Sequence, residues 1–413
     1  MKLSRISTFT YFTLSYAVLI IVKLLADIPI TIGNASEKAS SLIHLSIPSD
    51  NFYPIGKAIL LIPFLWDGPR YFIGVLFYYS IGIYFYHKIC MGITNQKYRF
   101  FALISLPLNP YLIWLIYTSQ DTVFEFALLL ILIYATFQQR LLVIVLAGYL
   151  LSLTRPGYWP LFLFCLIYNL LRARNKIMKH SVLLTTVVAI LLAPATLLVN
   201  RQLYGEANFA QESGVTAYFS YNKYLYLALP TFDMDVFLST NGHGWSDDNR
   251  TSKEYTNLAI ESLKTNPKEV LLAFLEKVDA YIFDIQKVPH LPGEYFLSED
   301  AKSIEIGNER LSWSLVLGNA LYAAHRTILI LTFFFTIGAL LLLRKMSSES
   351  LSIKGTWVLV MPWILGMIPG FVFYTETRFK IVSEILFAPF IAYFWQSVSS
   401  RSRLQDGTEH API

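Results

Sequence analysis

The chain has 413 residues, 55% hydrophobic and 15% charged, with a formal net charge of +5 and a mean hydropathy of +0.49. Soluble domains carry about 25% charged residues, so the composition excludes an ordinary water-soluble globule and fits a chain solvated by lipid. Two cysteines, Cys90 and Cys165, fall in or beside apolar runs and indicate no disulfide framework.

A helix crosses a ~30 Å hydrocarbon core with about 20 apolar residues. In chain order the candidate spans are 9–26, 71–88, 100–118, 122–138, 141–154, 157–171, 181–199, 326–343, 355–373 and 380–396. The first follows MKLSR without a small-residue cleavage site, and reads as an uncleaved span. The apolar segment 55–66 is too short to cross and reads as re-entrant or interfacial. The expected fold is therefore an all-α membrane protein with about ten transmembrane helices.

The positive-inside rule orients these spans with both termini in the cytoplasm. Lys2, Arg5, Lys88, Lys97, Arg99, Arg140, Arg172, Arg174, Lys176, Lys179, Arg344, Lys345, Lys354, Arg401 and Arg403 then fall inside. Topology thus explains basic clusters such as RARNKIMK, and no nucleic acid is needed as a partner. The expected organisation is an N-terminal transmembrane module 1–199 with a first outer loop 27–70, a large outer segment 200–325, C-terminal helices 326–396 and a cytoplasmic tail 397–413. Within the large outer segment, TSKEYTNLAIESLKTNP opens on Thr251 or Ser252 as a helix cap, and PKEVLLAFLEKVDAYIFD starts on Pro267. Both read as amphipathic helices resting on the membrane surface or the bundle.

Charged groups collect at the outer ends of the spans: Asp27, Lys57, Asp121, Arg155, Arg201, Glu376 and Arg378. Singly, each is readily an anchor that snorkels to the headgroups. Together they put both signs into short turns, on the face that topology depletes of basic residues. That suits an anionic lipid-linked ligand beside a carboxylate, with Arg as the natural phosphate partner. The stretch NGHGWSDDN reads first as a solvated turn; His243 and Asp247 alone are a poor metal set. Walker A, dinucleotide and Cys/His metal motifs are absent from the sequence.

Several stretches resemble the GT-C superfamily of membrane glycosyltransferases, related to protein O-mannosyltransferases and aminoarabinose transferases. They are Asp27 after the first span, NFYPIGKAILLIPF (Asn51 to Phe64), NPYLIWLIYTSQDTVFEFALLLILIYA (Asn109 to Ala135), LTRPGYWPL (Leu153 to Leu161), AIESLKTNPKEVLLAFLEKVDAYIF (Ala259 to Phe283) and YTETRFKIVSEILFAPF (Tyr374 to Phe390). The sequence departs from the family at Ile28, where a second acidic residue is usual, at Phe379, where Tyr is usual, and at Glu384, where prolines are common.

The resemblance implies transfer of a sugar from a polyprenyl-phosphate donor to a lipid, glycan or protein acceptor, with inversion in one displacement. It implies a site at the outer membrane face; short loops without glycosylation-rich extensions lean towards a bacterial inner membrane, with cell wall or an organelle lumen as alternative outer faces. Asp27 is the implied base, with Asp50 and Glu37 as alternates. Arg378, Arg201, Arg155 and Lys57 would neutralise phosphate. Asp121 would orient the acceptor or hold an arginine, and Glu376 and His243 complete the expected substrate contacts. Tyr53, Trp159 and Trp245 are candidates to stack on sugars, or interfacial belt residues. No cofactor is required, although a divalent cation, Mg or Mn, stays open. Membrane lipids are the other expected partners. Alternative readings are an O-antigen polymerase or ligase, kept open by Arg201, Arg250 and His243, and a non-enzymatic lipid-linked sugar flippase or transporter.

Overall fold

A computed structural model of the chain describes residues 7–26, 59–60, 62–64, 70–117, 122–173, 176–204, 207, 217–218, 220–221, 252–282, 295–297, 304–306, 324–339, 356–372 and 377–405. The described residues form an all-α bundle with one minor addition. The helices are α1 (Thr8–Ala26), α2 (Arg70–Met91), α3 (Gln96–Ser105), α4 (Pro110–Tyr117), α5 (Thr122–Phe137), α6 (Leu141–Thr154), α7 (Trp159–Arg172) and α8 (Lys176–Tyr204). They continue with α9 (Ser252–Thr265), α10 (Pro267–Ile282), α11 (Ala324–Ala339), α12 (Trp357–Val372), α13 (Thr377–Glu384) and α14 (Phe387–Gln405). The addition is an antiparallel ribbon, β1 (Tyr295–Leu297) with β2 (Ile304–Ile306), in register Tyr295 to Ile306.

Most elements coincide with the expected spans, and the two amphipathic helices of the outer segment form as α9 and α10, with Pro267 in the first position of α10. Of segment 55–66, only Ile59, Leu60 and a 3-10 turn at Ile62–Phe64 are described. One stretch, Lys179–Gln202 within α8, is long and apolar enough by itself to cross a membrane; other apolar helices among the described residues are shorter.

Two expected spans are interrupted. Span 100–118 divides into α3 and α4, and span 380–396 into α13 and α14. The cause is the same in both. Pro107, Pro110 and Pro389 lack an N–H, and in a continuous helix each ring would clash with the carbonyl four residues earlier, at Leu103, Leu106 and Ile385. Asn109 then caps α4, its Oδ1 accepting from the Leu112 amide at 3.0 Å. At the second break the Leu386 amide donates to Ser383 O at 3.1 Å. The halves pack against each other in order, α3 with α14 and α4 with α13.

Helix α5 is the hub. It is apolar all round, as a fully enclosed helix must be, and Val123 through Leu130, Leu132, Ile133 and Ala135 are buried. It packs on α2, α4, α6, α7, α12 and α13. Gly82 of α2 permits that contact, because a Cβ there would collide with the Phe126 ring. Helix α1 runs antiparallel to α2: Thr8 meets His87 at 3.5 Å and Tyr16 meets Ser80 at 2.6 Å.

The opposite ends of the bundle are held differently. At the end containing the α2 C-terminus, Tyr393 donates to Ile89 O at 2.8 Å, Gln396 accepts from the Asn95 amide at 2.8 Å, and Trp395 donates to Thr336 at 3.1 Å. These are polar but uncharged contacts. The other end, where α5 begins and α6 stops, carries the ion pairs.

Candidate functional site

Glu125 lies in the first turn of α5, where a carboxylate faces the positive end of the helix dipole. It is wholly buried, with a side-chain exposure of 0%. Its cation comes from the turn after α6. Pro156 pushes the preceding residue out of the helical region, and Arg155 is extended at φ −152°, ψ 111°. From there its Nη2 reaches Glu125 Oε1 at 2.9 Å. The 3-10 turn Pro156–Tyr158 then presents Tyr158, whose hydroxyl donates to Glu125 Oε2 at 3.3 Å. Gly157 sits under α12, and a Cβ there would meet Pro369 at 3.1 Å. Arg155 keeps 24% of its side chain exposed.

A second cluster adjoins the first. Arg326, in the first turn of α11, grips Glu384 at the end of α13: Nη2 to Oε1 at 2.8 Å and Nε to Oε2 at 3.0 Å. The same guanidinium donates to Tyr281 O at 3.3 Å and Ile282 O at 3.4 Å, the last carbonyls of α10. Such capping answers the unpaired carbonyls that any helix C-terminus leaves. The Tyr281 hydroxyl donates to Trp363 O at 2.9 Å and feels the fields of both Tyr158 and Glu384, which joins the two clusters. Lys380 is buried one turn before Glu384. The neighbouring His325 lies near Ser105, at the first helix break. Consecutive residues of α11 therefore approach both interrupted helices.

A further buried charge lies on α10. Lys277 donates to Ser220 O at 2.8 Å and lies 5.1 Å from the centre of the Tyr221 ring. Burial pushes its ammonium down to about 7.

Of the residues expected from sequence, Asp27, Glu37, Asp50, Lys57, Asp121, His243 and Glu376 lie outside the described residues. Arg378 falls in α13, but its side chain is not among those described. Arg201 is exposed in the last turn of α8. Arg155 is paired with Glu125, a carboxylate that sequence reasoning did not single out. Glu125, Tyr158, Lys277, Arg326, Lys380 and Glu384 were all missed as site residues. A readable signal existed for Glu125 and Arg326: each is a lone charge in an apolar run, where an ionisable residue needs a partner. Among the described residues no group of three His, Cys, Asp or Glu side chains is placed to hold a metal ion.

The arrangement offers buried carboxylates, a part-exposed guanidinium and phenols at one end of the bundle. Chemically that is a place to hold an anion and to move a proton. Comparison with family models, curated proteins and solved structures finds no match to this chain.

Proposed function

We propose that the chain is a multi-pass membrane glycosyltransferase, moving a sugar from a polyprenyl-phosphate donor to an acceptor on the extracytoplasmic face. The observation that carries the reading is the one-sided placement of buried charge. Among the described residues Glu125, Lys277, Arg326, Lys380 and Glu384 are buried, and all belong to helix ends or loops that the positive-inside rule assigns to the outer half. At the other end the described residues bury His87, with Tyr11, Tyr86 and Cys90, and no Asp, Glu, Lys or Arg. A transferase acting at one face needs that polarity; a flippase needs polar groups through the full depth of the bilayer.

Membrane insertion through about ten spans is part of the same proposal. It is supported by large apolar side chains on the outside of the bundle, such as Phe9 and Leu24 on α1, Ile73 and Phe77 on α2, Leu184 and Leu191 on α8, and Leu331 and Phe335 on α11. Water would penalise such a surface, whereas lipid does not. Broken helices are compatible with this where other helices cover the break. Within the proposal, Arg155, Arg201, Arg378 and Lys57 contribute positive charge toward the donor phosphate. A carboxylate accepts the acceptor proton, and phosphate is a good enough leaving group to need no general acid.

The paired helix breaks favour a second reading, a flippase or transporter of lipid-linked sugars, because interrupted helices recur at transport sites. One experiment separates the two. Purified protein in liposomes is given a panel of polyprenyl-phosphate sugars with acceptor extracts, and release of polyprenyl phosphate is measured. Release with one donor supports transfer. Movement of the donor across the bilayer without release supports the second reading and removes the first.

A further inference from the structure

We infer that Glu125 is the base of the transfer and that its ion pair with Arg155 exchanges partners as the reaction proceeds. This rests on the transferase reading above. Two buried carboxylates stand at the charged end, and their environments differ. Glu384 has both oxygens engaged by one guanidinium, at 2.8 and 3.0 Å, and Arg326 is itself buried. A carboxylate held in that way is a structural clamp. Glu125 is held loosely. Its Oε1 lies 2.9 Å from Arg155 Nη2 but receives no hydrogen bond of sound geometry, and its Oε2 takes one 3.3 Å bond from Tyr158. A carboxylate offers about four acceptor positions, so Glu125 retains capacity for a hydroxyl.

The cation is also differently mounted. Arg326 is part of a helix, whereas Arg155 lies on an extended residue between α6 and a 3-10 turn and is 24% exposed. Arg155 therefore both covers Glu125 and reaches the surface of the site. It can turn away without unwinding a helix.

The chemistry follows from that mounting. An acceptor hydroxyl entering beside Arg155 hydrogen-bonds to Glu125. As the acceptor oxygen forms its bond to the anomeric carbon, its proton passes to the Glu125 carboxylate. The bond between the anomeric carbon and the phosphate oxygen breaks, and its electron pair stays on the polyprenyl phosphate. That phosphate goes from a diester monoanion to a monoester dianion. Glu125, now neutral, releases Arg155, and the guanidinium turns to the new phosphate charge. The total charge of the three groups is the same before and after. Negative charge leaves the carboxylate at the step in which it appears on the phosphate, and one cation serves both.

The test compares the wild type with Glu125→Gln, Glu125→Asp, Arg155→Lys and Asp27→Asn in liposomes, with donor KM and kcat measured separately. Glu125→Gln should lower kcat by at least about a hundredfold while donor KM holds or falls, because a negative charge is removed from the neighbourhood of the donor phosphate. Arg155→Lys keeps the charge but loses the planar fork that meets the new phosphate charge, so kcat should fall while donor KM changes little. Should Glu125→Gln not accumulate in the membrane, Glu125→Asp decides: a retracted carboxylate slows kcat at unchanged KM. A wild-type kcat in either Glu125 variant overturns the assignment, as does an unchanged kcat in Arg155→Lys for the partner exchange. Loss of activity in Asp27→Asn with retention in Glu125→Gln returns the base to the first loop. A wild-type protein inactive on every donor instead overturns the transferase reading.

Discussion

Arg326 and Glu384 form the most heavily enclosed ion pair described in the bundle, at side-chain exposures of 2% and 3%. Replacing Arg326 by Leu leaves the Glu384 charge without its bidentate partner and removes the donor to Tyr281 O and Ile282 O. Breaking a buried pair on one side costs about 3–5 kcal/mol. Replacing both residues by Met removes both charges together. What then remains is the loss at two α10 carbonyls whose bonds are long, worth about 1 kcal/mol in total. The double variant should therefore be more stable than Arg326→Leu by at least about 2 kcal/mol. Reversible unfolding in mixed micelles, titrated with SDS and followed by helicity, measures all three proteins. A single variant costing less than about 1 kcal/mol, or a double variant no more stable than Arg326→Leu, would refute the enclosed-pair account.

Lys277 makes the helix pair α9–α10 sensitive to pH. Its folded ammonium titrates near 7, against an ordinary 10.5. Between those values the unfolded chain holds a proton that the folded one lacks, so stability should rise with pH by up to about 1.4 kcal/mol per unit and be lowest below pH 7. Lys277→Met should flatten that slope in pH-dependent unfolding, and an unaltered slope would count against it. Gly82→Ala should destabilise by about 1–3 kcal/mol, because the new methyl meets the Phe126 ring in a closely packed core; thermal melting in detergent reads it, and a neutral effect would show that α2 and α5 are not so tightly apposed. For topology, the native Cys90 and Cys165 are buried and should give little background. A membrane-impermeant maleimide on intact cells should label Lys264→Cys and not Lys97→Cys; the reverse pattern would invert the orientation.

Much of the helical layout was legible in the sequence. Apolar runs, each bounded by polar turns, gave α1, α2, α5, α6, α7, α8 and α12 nearly to their ends, because enclosure or lipid contact demands such runs. The turn at Arg155 was visible as Thr-Arg-Pro, since proline ends the helix before it. Glu125 was visible as a charge in an apolar helix, yet nothing local named its partner: thirty residues of chain separate it from Arg155. Arg326 and Glu384 are further apart still, at 58 residues. Pairings of that kind are properties of packing.

The helix breaks show the division most sharply. Prolines mark both of them in the sequence, at Pro107, Pro110 and Pro389, but Pro194, Pro362 and Pro369 lie inside helices that continue. A proline removes one hydrogen bond and crowds one carbonyl wherever it stands. Whether the helix then bends or stops depends on what can satisfy the freed backbone groups. At Leu106–Asn109 the Asn109 cap meets that need, and beside Ile385 the Arg326–Glu384 clamp anchors the end of α13. Composition and periodicity alone determined that this chain buries apolar helices and sets its charges at their ends. Only the tertiary structure decided which charges meet, because a buried ion pair is chosen by distance and enclosure, and neither is written in the order of residues.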